Sequence, residues 1–292
     1  MKITKTFTSI FLLTFLIGYA SVLPMKRAFA PIEILTVSQE IPQKITVEAV
    51  NKPEILEENS DWKKREDSFK IKLLETGEGF HGDEIEAKSG ETWLGLFGEN
   101  GKYRLEFTKL KIRRVHDSVI DGYEEKEAKQ KTGKSLSVNK KFEPVLLLKN
   151  AEMLKEGEIN TLYHGVPDDE IKGRDEEYLS LKNGFLKEFK IGKIIYKLSV
   201  KKGKNKNRED ILALILENGK TFQTLHSLEP FGEDDYLRAL YWAGDLDRDE
   251  KPDFYFSLYF HDNVEYRNLF LSSEAEKGKL VKKAATFTTT GC

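Results

Sequence analysis

The chain has 292 residues, of which 33% are charged and 39% hydrophobic: enough for one large domain or two small ones, polar but able to bury a sizeable core. A formal net charge of −2 lacks the basic excess of a nucleic-acid binder, and no nucleic-acid partner is expected. The single cysteine, Cys292, is the last residue, which excludes an internal disulfide framework. It is either an inert thiol on a chain end or the link of a disulfide dimer.

In chain order, Lys2 and Lys5 precede an apolar, uncharged stretch from Phe7 to Leu23. That is the layout of an export signal, with small-x-small cleavage sites at Gly18-Tyr19-Ala20 or Ala28-Phe29-Ala30. Pro31 disfavours the second site, so a cut after Ala20 is expected. The stretch is also near the lower length limit for crossing a bilayer. Residues 1–30 are therefore read as a signal peptide or an N-terminal anchor. The protein is expected to be exported by a bacterial cell, as a periplasmic, secreted or cell-surface protein. It would meet a membrane only through an uncleaved N-terminal segment.

Beyond that segment the pattern is mainly β. Asn100-Gly101, Asn183-Gly184 and Asn218-Gly219 are the pairs that favour two-residue hairpins. Trp93 to Phe97 leads into the first and Tyr103 to Phe107 leads out, with Tyr103, Leu105 and Phe107 expected on one face. Ile211 to Leu216 is a continuous apolar run that suits a buried central strand. Short helices are candidates only at Asp61–Phe69 and Asn150–Lys155. The expected fold is antiparallel hairpins forming sandwich- or barrel-like β domains. The lysine-rich, apolar-poor span 119–141 divides them as a polar linker or loop. A smaller β domain over 31–118 would precede it, and a larger one over 142–292 would follow. A single β domain with a long insertion is the competing arrangement.

The densest carboxylate ladder runs from Gly244 through Asp245, Asp247, Asp249 and Asp253, between strand-like flanks at Leu237–Trp242 and Phe254–Phe260. Carboxylates at positions one, three and five of a tight loop repel one another unless a hard cation lies among them. Calcium takes six to eight such oxygens, with position seven supplying a backbone carbonyl, here that of Lys251, and Asp253 at position nine. Position twelve, where an EF-hand carries a bidentate glutamate, is Phe256. The arrangement is therefore a strand, a calcium loop and a strand within 237–260.

This segment resembles the calcium-binding hairpins of FG-GAP repeats in integrin-α-type β-propellers, whose pattern is Asp-x-Asp-x-Asp-Gly-x-x-Asp. The resemblance covers about fifteen residues. It implies metal ligands at Asp245, Asp247, Asp249, the Lys251 carbonyl and Asp253, with calcium in a structural role. Glu250 stands where the pattern has glycine, a position that commonly takes a positive φ, at a cost of about 1 kcal/mol to any other residue. A propeller needs several copies, and the sequence holds one. The stretch from the ladder through Leu269–Ser273 to Phe287–Cys292 also resembles a C-terminal module of exported bacterial proteins of unknown function.

Other constellations are weaker. Gly133-Lys134-Ser135 lacks the upstream glycine of a P-loop, since Ala128 occupies that position. His81, His116, His164, His226 and His261 form no His-Glu-x-x-His; His81-Gly82-Asp83 and His116-Asp117 are dyad-like neighbours of the kind chance supplies. Asp168-Asp169-Glu170 and Glu233-Asp234-Asp235 read as solvated acidic loops, and Lys201 to Arg208 as a basic hairpin tip. Trp62, Trp93 and Trp242 are expected in the core in preference to a sugar platform. With no catalytic set evident, the favoured expectation is a non-enzymatic exported calcium-binding β protein that binds a protein or glycan ligand or serves the cell envelope. The alternative is a secreted hydrolase acting on glycan or peptide with a structural calcium. A cleft holding two carboxylates or a His dyad at catalytic distance would favour the alternative.

Overall fold

Alternating and continuous apolar runs, punctuated by turn residues, give sixteen strands in the computed structural model, which describes residues 68–99, 101–122, 130–165, 179–205, 207–228, 236–261 and 263–290. The first eight are β1 (Lys72–Leu74), β2 (Gly77–Phe80), β3 (Thr92–Glu99), β4 (Lys102–Val115), β5 (Gly133–Val138), β6 (Leu146–Lys149), β7 (Gly157–His164) and β8 (Leu179–Lys182). Four follow as a meander, β9 (Leu186–Ile191), β10 (Ile194–Lys204), β11 (Asp210–Glu217) and β12 (Phe222–Leu228). The last four are β13 (Tyr236–Asp245), β14 (Asp253–His261), β15 (Val264–Leu271) and β16 (Lys282–Thr290).

Twelve strands form one antiparallel sheet along the path β1-β6-β3-β4-β7-β13-β14-β15-β16, with β5 joined to β4, β2 to β5 and β8 to β13. The two ends of the path, β1 and β16, lie side by side without a ladder between them, so the sheet curls into a nearly closed barrel. The other four strands make a second sheet in the order β12-β11-β10-β9.

Two interiors result. Inside the curled sheet, Trp93, Leu96, Leu105, Leu136, Leu146 and Phe287 pack with Trp242, Tyr255 and Leu269. Between the two sheets, Leu198, Leu212 and Leu214 pack on Leu240, Phe254, Phe256 and Phe270. Strands β13 to β15 serve both, sending alternate residues to opposite sides. That is why Phe254–Leu258 is almost continuously apolar: a strand covered on both faces has little polar face to show. Each large side chain fully buried there contributes on the order of 1.5–3 kcal/mol.

The all-β expectation holds, and so does the strand at Ile211–Leu216, buried at every position. β3 and β4 pair from Glu99 opposite Lys102 onward, with Gly101 between them and Asn100 outside the described residues; of the face expected on β4, Leu105 is buried and Phe107 is 53% exposed. Asn218-Gly219 lies in a four-residue connection, since Glu217 pairs with Phe222, and the Asn218 side chain accepts from Lys220 N and Thr221 N. Asn183-Gly184 closes no hairpin. It passes the chain from β8 in the large sheet to β9 in the small one, with Phe185 N donating to Lys182 O at 2.9 Å. In the small sheet a two-residue hairpin falls at Gly192-Lys193, between Ile191 and Ile194, with Gly192 at φ 57, the glycine-first arrangement.

The expected linker over 119–141 contains β5. Leu136 and Val138, two apolar residues at strand spacing, are buried against β4, and a ready partner strand outweighs lysine-rich composition. Strands from both sides of this span share the large sheet, as in β1 with β6 and β4 with β7, so the span separates no two sheets. Asn150–Lys155 forms a turn, Leu154 N donating to Ala151 O, and not a helix. The export segment, Trp62, residues 61–67, the acidic runs at 168–170 and 233–235, and Cys292 lie outside the described residues.

Candidate metal centre

The strand–loop–strand expected at 237–260 is present: β13 ends at Asp245, β14 begins at Asp253, and Gly244 pairs with Asp253. Gly244 is dictated by space. A Cβ there would lie 2.4 Å from the Trp242 ring and 2.6 Å from the Asn160 carbonyl oxygen on β7, so only glycine lets both approach the base of the loop. Leu246 enters the barrel interior and Phe254 the inter-sheet interior. The loop is thus pinned at both ends by apolar burial, which leaves the aspartates to fill the bend.

Asp245, Asp247 and Asp253 each place a carboxylate oxygen within 4.8 Å of the others, a group that can hold a metal ion. Asp253 is fully buried and Asp245 nearly so, while Asp247 is partly exposed. The backbone orients them: Leu246 N and Ser272 N donate to the two oxygens of Asp253 at 2.6 and 2.7 Å. Asp249 N and Glu250 N donate to Asp245 at 3.0 and 3.1 Å. Ser273 N donates to Asp247 at 3.3 Å.

Electrostatically the group is uncomfortable without a cation. Burial pushes the Asp253 carboxyl well above its ordinary range, and the neighbouring Asp247 charge adds to this. Burial likewise raises Asp245 against the opposing amide bonds from Glu250 and Asp249. It also raises Asp247, with Asp249 reinforcing it. Removing carboxylates from water costs several kcal/mol each unless a partner compensates, and a divalent ion at their centre would do so.

The other two residues expected to bind the metal lie in the same loop. Asp249 is outside the group of three; its carboxylate accepts from Ser272 Oγ at 2.9 Å and from Lys251 Nζ at 2.7 Å. Lys251 thus meets the loop through its ammonium group, and its N–H also donates to Asp249. Glu250 has φ 62 and Arg248 φ 61, so the position where the repeat pattern has glycine adopts the left-handed conformation here too. Three residues that spacing along the loop did not single out support it. Ser272 and Ser273, in the β15–β16 connection, hold three of the aspartates. Arg248 ties the loop to the start of β7 through the Lys155 and Glu158 carbonyls at 3.0 and 3.1 Å. Ser272-Ser273 directly after Leu271 carried no local signal, since only the pairing of β14 with β15 brings it to the loop.

No protein-family model, curated protein or solved structure matches this chain. The likeness to the FG-GAP hairpin therefore rests on the aspartate loop itself, in an all-β fold with one such group of three among the described residues.

Elsewhere two histidines, His81 and His164, find partners that sequence neighbours did not indicate. His81 Nδ1 lies 2.7 Å from Asp117 Oδ2, and that hydrogen bond raises the imidazole's pKa. Burial opposes ionisation of Asp117, but the His81 bond and the amides of Ile120 and Val119 outweigh it and lower its pKa. His164 Nδ1 lies 2.6 Å from the Tyr103 hydroxyl, and burial lowers the His164 pKa. Trp93 and Trp242 are in the core, as expected. Lys201–Arg208 is the β10–β11 tip, with Lys204 opposite Asp210. Lys134 lies in β5, its ammonium donating to the Ile85 carbonyl.

Proposed function

We propose that the loop from Asp245 to Asp253 binds calcium and that the chain is an exported β protein with a binding or envelope-structural role. The observation behind the metal is the convergence of three carboxylates, two of them buried, in one bend. All-oxygen ligands on a loop favour a hard cation, and loop carboxylates with a backbone carbonyl suit the longer, more variable bonds of calcium better than the strict octahedron of magnesium. Asp249 and the Lys251 carbonyl would complete the shell, Asp249 exchanging its contact with Lys251 for the ion. The metal's role is structural: it would join the loop to the Ser272–Ser273 turn and release the repulsion among the aspartates.

Calorimetric titration with calcium, alongside melting with and without chelator, tests this. At 100 times its Kd, calcium should stabilise the native state by about 2.7 kcal/mol. Asp247→Ala should abolish the shift and Asp168→Ala should leave it intact. Melting curves that do not move across millimolar calcium would remove the metal.

A second reading, a hydrolase of glycan or peptide, has the His81–Asp117 pair in its favour. An aspartate on Nδ1 orients an imidazole so that Nε2 can act as a base. Turnover of a glycan or peptide substrate that is lost in His81→Ala with an unchanged melting temperature would establish it; activity persisting in that variant would reject the pair.

A further inference from the structure

The aspartate loop carries a cation of its own. From Asp245 to Asp253 the chain sets two basic residues, Arg248 and Lys251, against Glu250 and the four aspartates. Arg248 faces away, its guanidinium donating to the Lys155 and Glu158 carbonyls. Lys251 turns inward: its Nζ lies 2.7 Å from Asp249 Oδ2, and its amide donates to Asp249 Oδ1 at 3.0 Å. Ser272 Oγ donates to the same Oδ1 at 2.9 Å. With both oxygens engaged, Asp249 lies outside the group that Asp245, Asp247 and Asp253 form.

The Asp249 hydrogen bond raises the Lys251 pKa; burial opposes this, and the Asp249, Tyr196 and Asp247 groups add to it. The ammonium is therefore charged, and its field reaches Asp247 as well as its own partner. One positive charge eases the repulsion among the carboxylates while no ion is present. It does so reversibly. The Lys251 side chain is 51% exposed, so its head can return to water at little cost, as exposed ion pairs generally allow. A divalent ion carries twice the charge and gathers six or more oxygens at once. It would outbid the ammonium for Asp249.

We infer that Lys251 is a built-in competitor for the metal: its ammonium holds Asp249 in the metal-free loop and must leave before Asp249 joins the ion. The contact sets the affinity of the loop, keeping it weaker than its carboxylates alone would make it. This inference rests on the calcium reading of the loop and adds a residue that tunes it. Replacing the Lys251 side chain leaves the backbone carbonyl in place, so the competitor can be removed without removing the proposed ligand.

The test is to titrate calcium into the full chain and into Lys251→Met by calorimetry. Lys251→Met should bind about two- to fivefold more tightly, the range that loss of an exposed ion pair implies. Removing any nearby cation would favour a metal somewhat, so the effect must be traced to Asp249. In an Asp249→Asn background, adding Lys251→Met should leave the affinity nearly unchanged, because the two side chains act as one pair. A direct readout is acetylation of Lys251 by acetic anhydride, followed by mass spectrometry of the native chain. Saturating calcium should raise that labelling severalfold by freeing the ammonium. Equal affinity of the native chain and Lys251→Met, an undiminished gain in the Asp249→Asn background, or labelling that calcium leaves unchanged would overturn the role of Lys251 and leave the calcium site standing. No calcium binding by either chain would overturn the calcium reading and the competitor with it.

Discussion

Strands β13 to β15 have two buried faces, and the faces differ. Toward the four-stranded sheet they present Leu240, Phe254, Phe256, Leu258 and Phe270, an apolar layer in which Phe254 stacks on Phe256 with centroids 5.6 Å apart and Phe270 meets Phe256 edge-on at 5.7 Å. Toward the barrel interior the same strands carry a charged cluster. Arg267 Nε lies 3.0 Å from both oxygens of Glu75, Arg267 also pairs with Glu265 at 2.6 Å, and its guanidinium sits 4.6 Å over the Tyr241 ring. The buried Tyr255 hydroxyl donates to Glu75. Burial alone would lower the Arg267 pKa, but the Glu75 carboxylate outweighs it and raises the value; burial and the same carboxylate push Tyr255 well up. One face stabilises by area. The other fixes register, because Glu75 follows β1 and can satisfy Arg267 and Tyr255 only when β1 is drawn across to β14 and β15.

The strongest way to break this contrast is Phe256→Ala, which should cost about 3–5 kcal/mol in a urea melt, because it removes a fully buried ring from the inter-sheet layer and leaves a cavity. A loss under about 1 kcal/mol would show that the layer repacks or admits water. On the other face, Glu75→Ala leaves the buried guanidinium its pair with Glu265 but removes the carboxylate that meets its Nε, and should cost about 3 kcal/mol or more. The double change Glu75→Met with Arg267→Met should recover most of that, since two apolar groups of similar length replace a desolvated pair at little net cost. If the double variant is as unstable as Glu75→Ala, the cluster does more than compensate its own burial.

The aspartate loop joins the two faces, with Leu246 in one and Phe254 in the other, and its protons report on it. Asp245, Asp247 and Asp253 have folded-state pKa values above the ordinary 3.8. Without metal the folded state therefore binds their protons more tightly than the unfolded chain does. Their contribution to stability falls as pH rises from the ordinary value through the raised ones. A cation bound among these carboxylates would have to displace those protons. The gap in melting temperature between calcium-loaded and chelated protein should close as pH is lowered, beginning well above 3.8. A gap constant down to pH 4 would mean that these carboxyls do not bind the ion. The smallest effect is expected of Glu250→Gly. Relief of the positive φ should stabilise by up to about 1 kcal/mol, offset in part by a freer unfolded chain; destabilisation would assign the Glu250 side chain a contact that favours the loop.

Much of this was legible in residue order. Period-two alternation and turn residues act over a few positions, so the mainly β architecture, the buried strand at Ile211–Leu216 and the strands flanking the aspartates can be read without the fold. The alternate spacing of Asp245, Asp247 and Asp249 likewise marks a carboxylate-lined bend from local geometry alone, whereas the left-handed turn at Glu250 is foreseeable only through the glycine of the resembling repeat pattern. Tertiary structure decided whatever depends on distant partners. It sent Asn183-Gly184 between sheets, made a strand of the lysine-flanked 133–138 segment and joined His81 to Asp117. It selected Asp253 with Asp245 and Asp247 while turning Asp249 toward Lys251 and Ser272. Glu75 and Arg267 are 192 residues apart, and no local preference foretells their meeting. Strand order is set by which pairings bury the most apolar surface while leaving the fewest polar groups unmet, a condition on the whole chain at once.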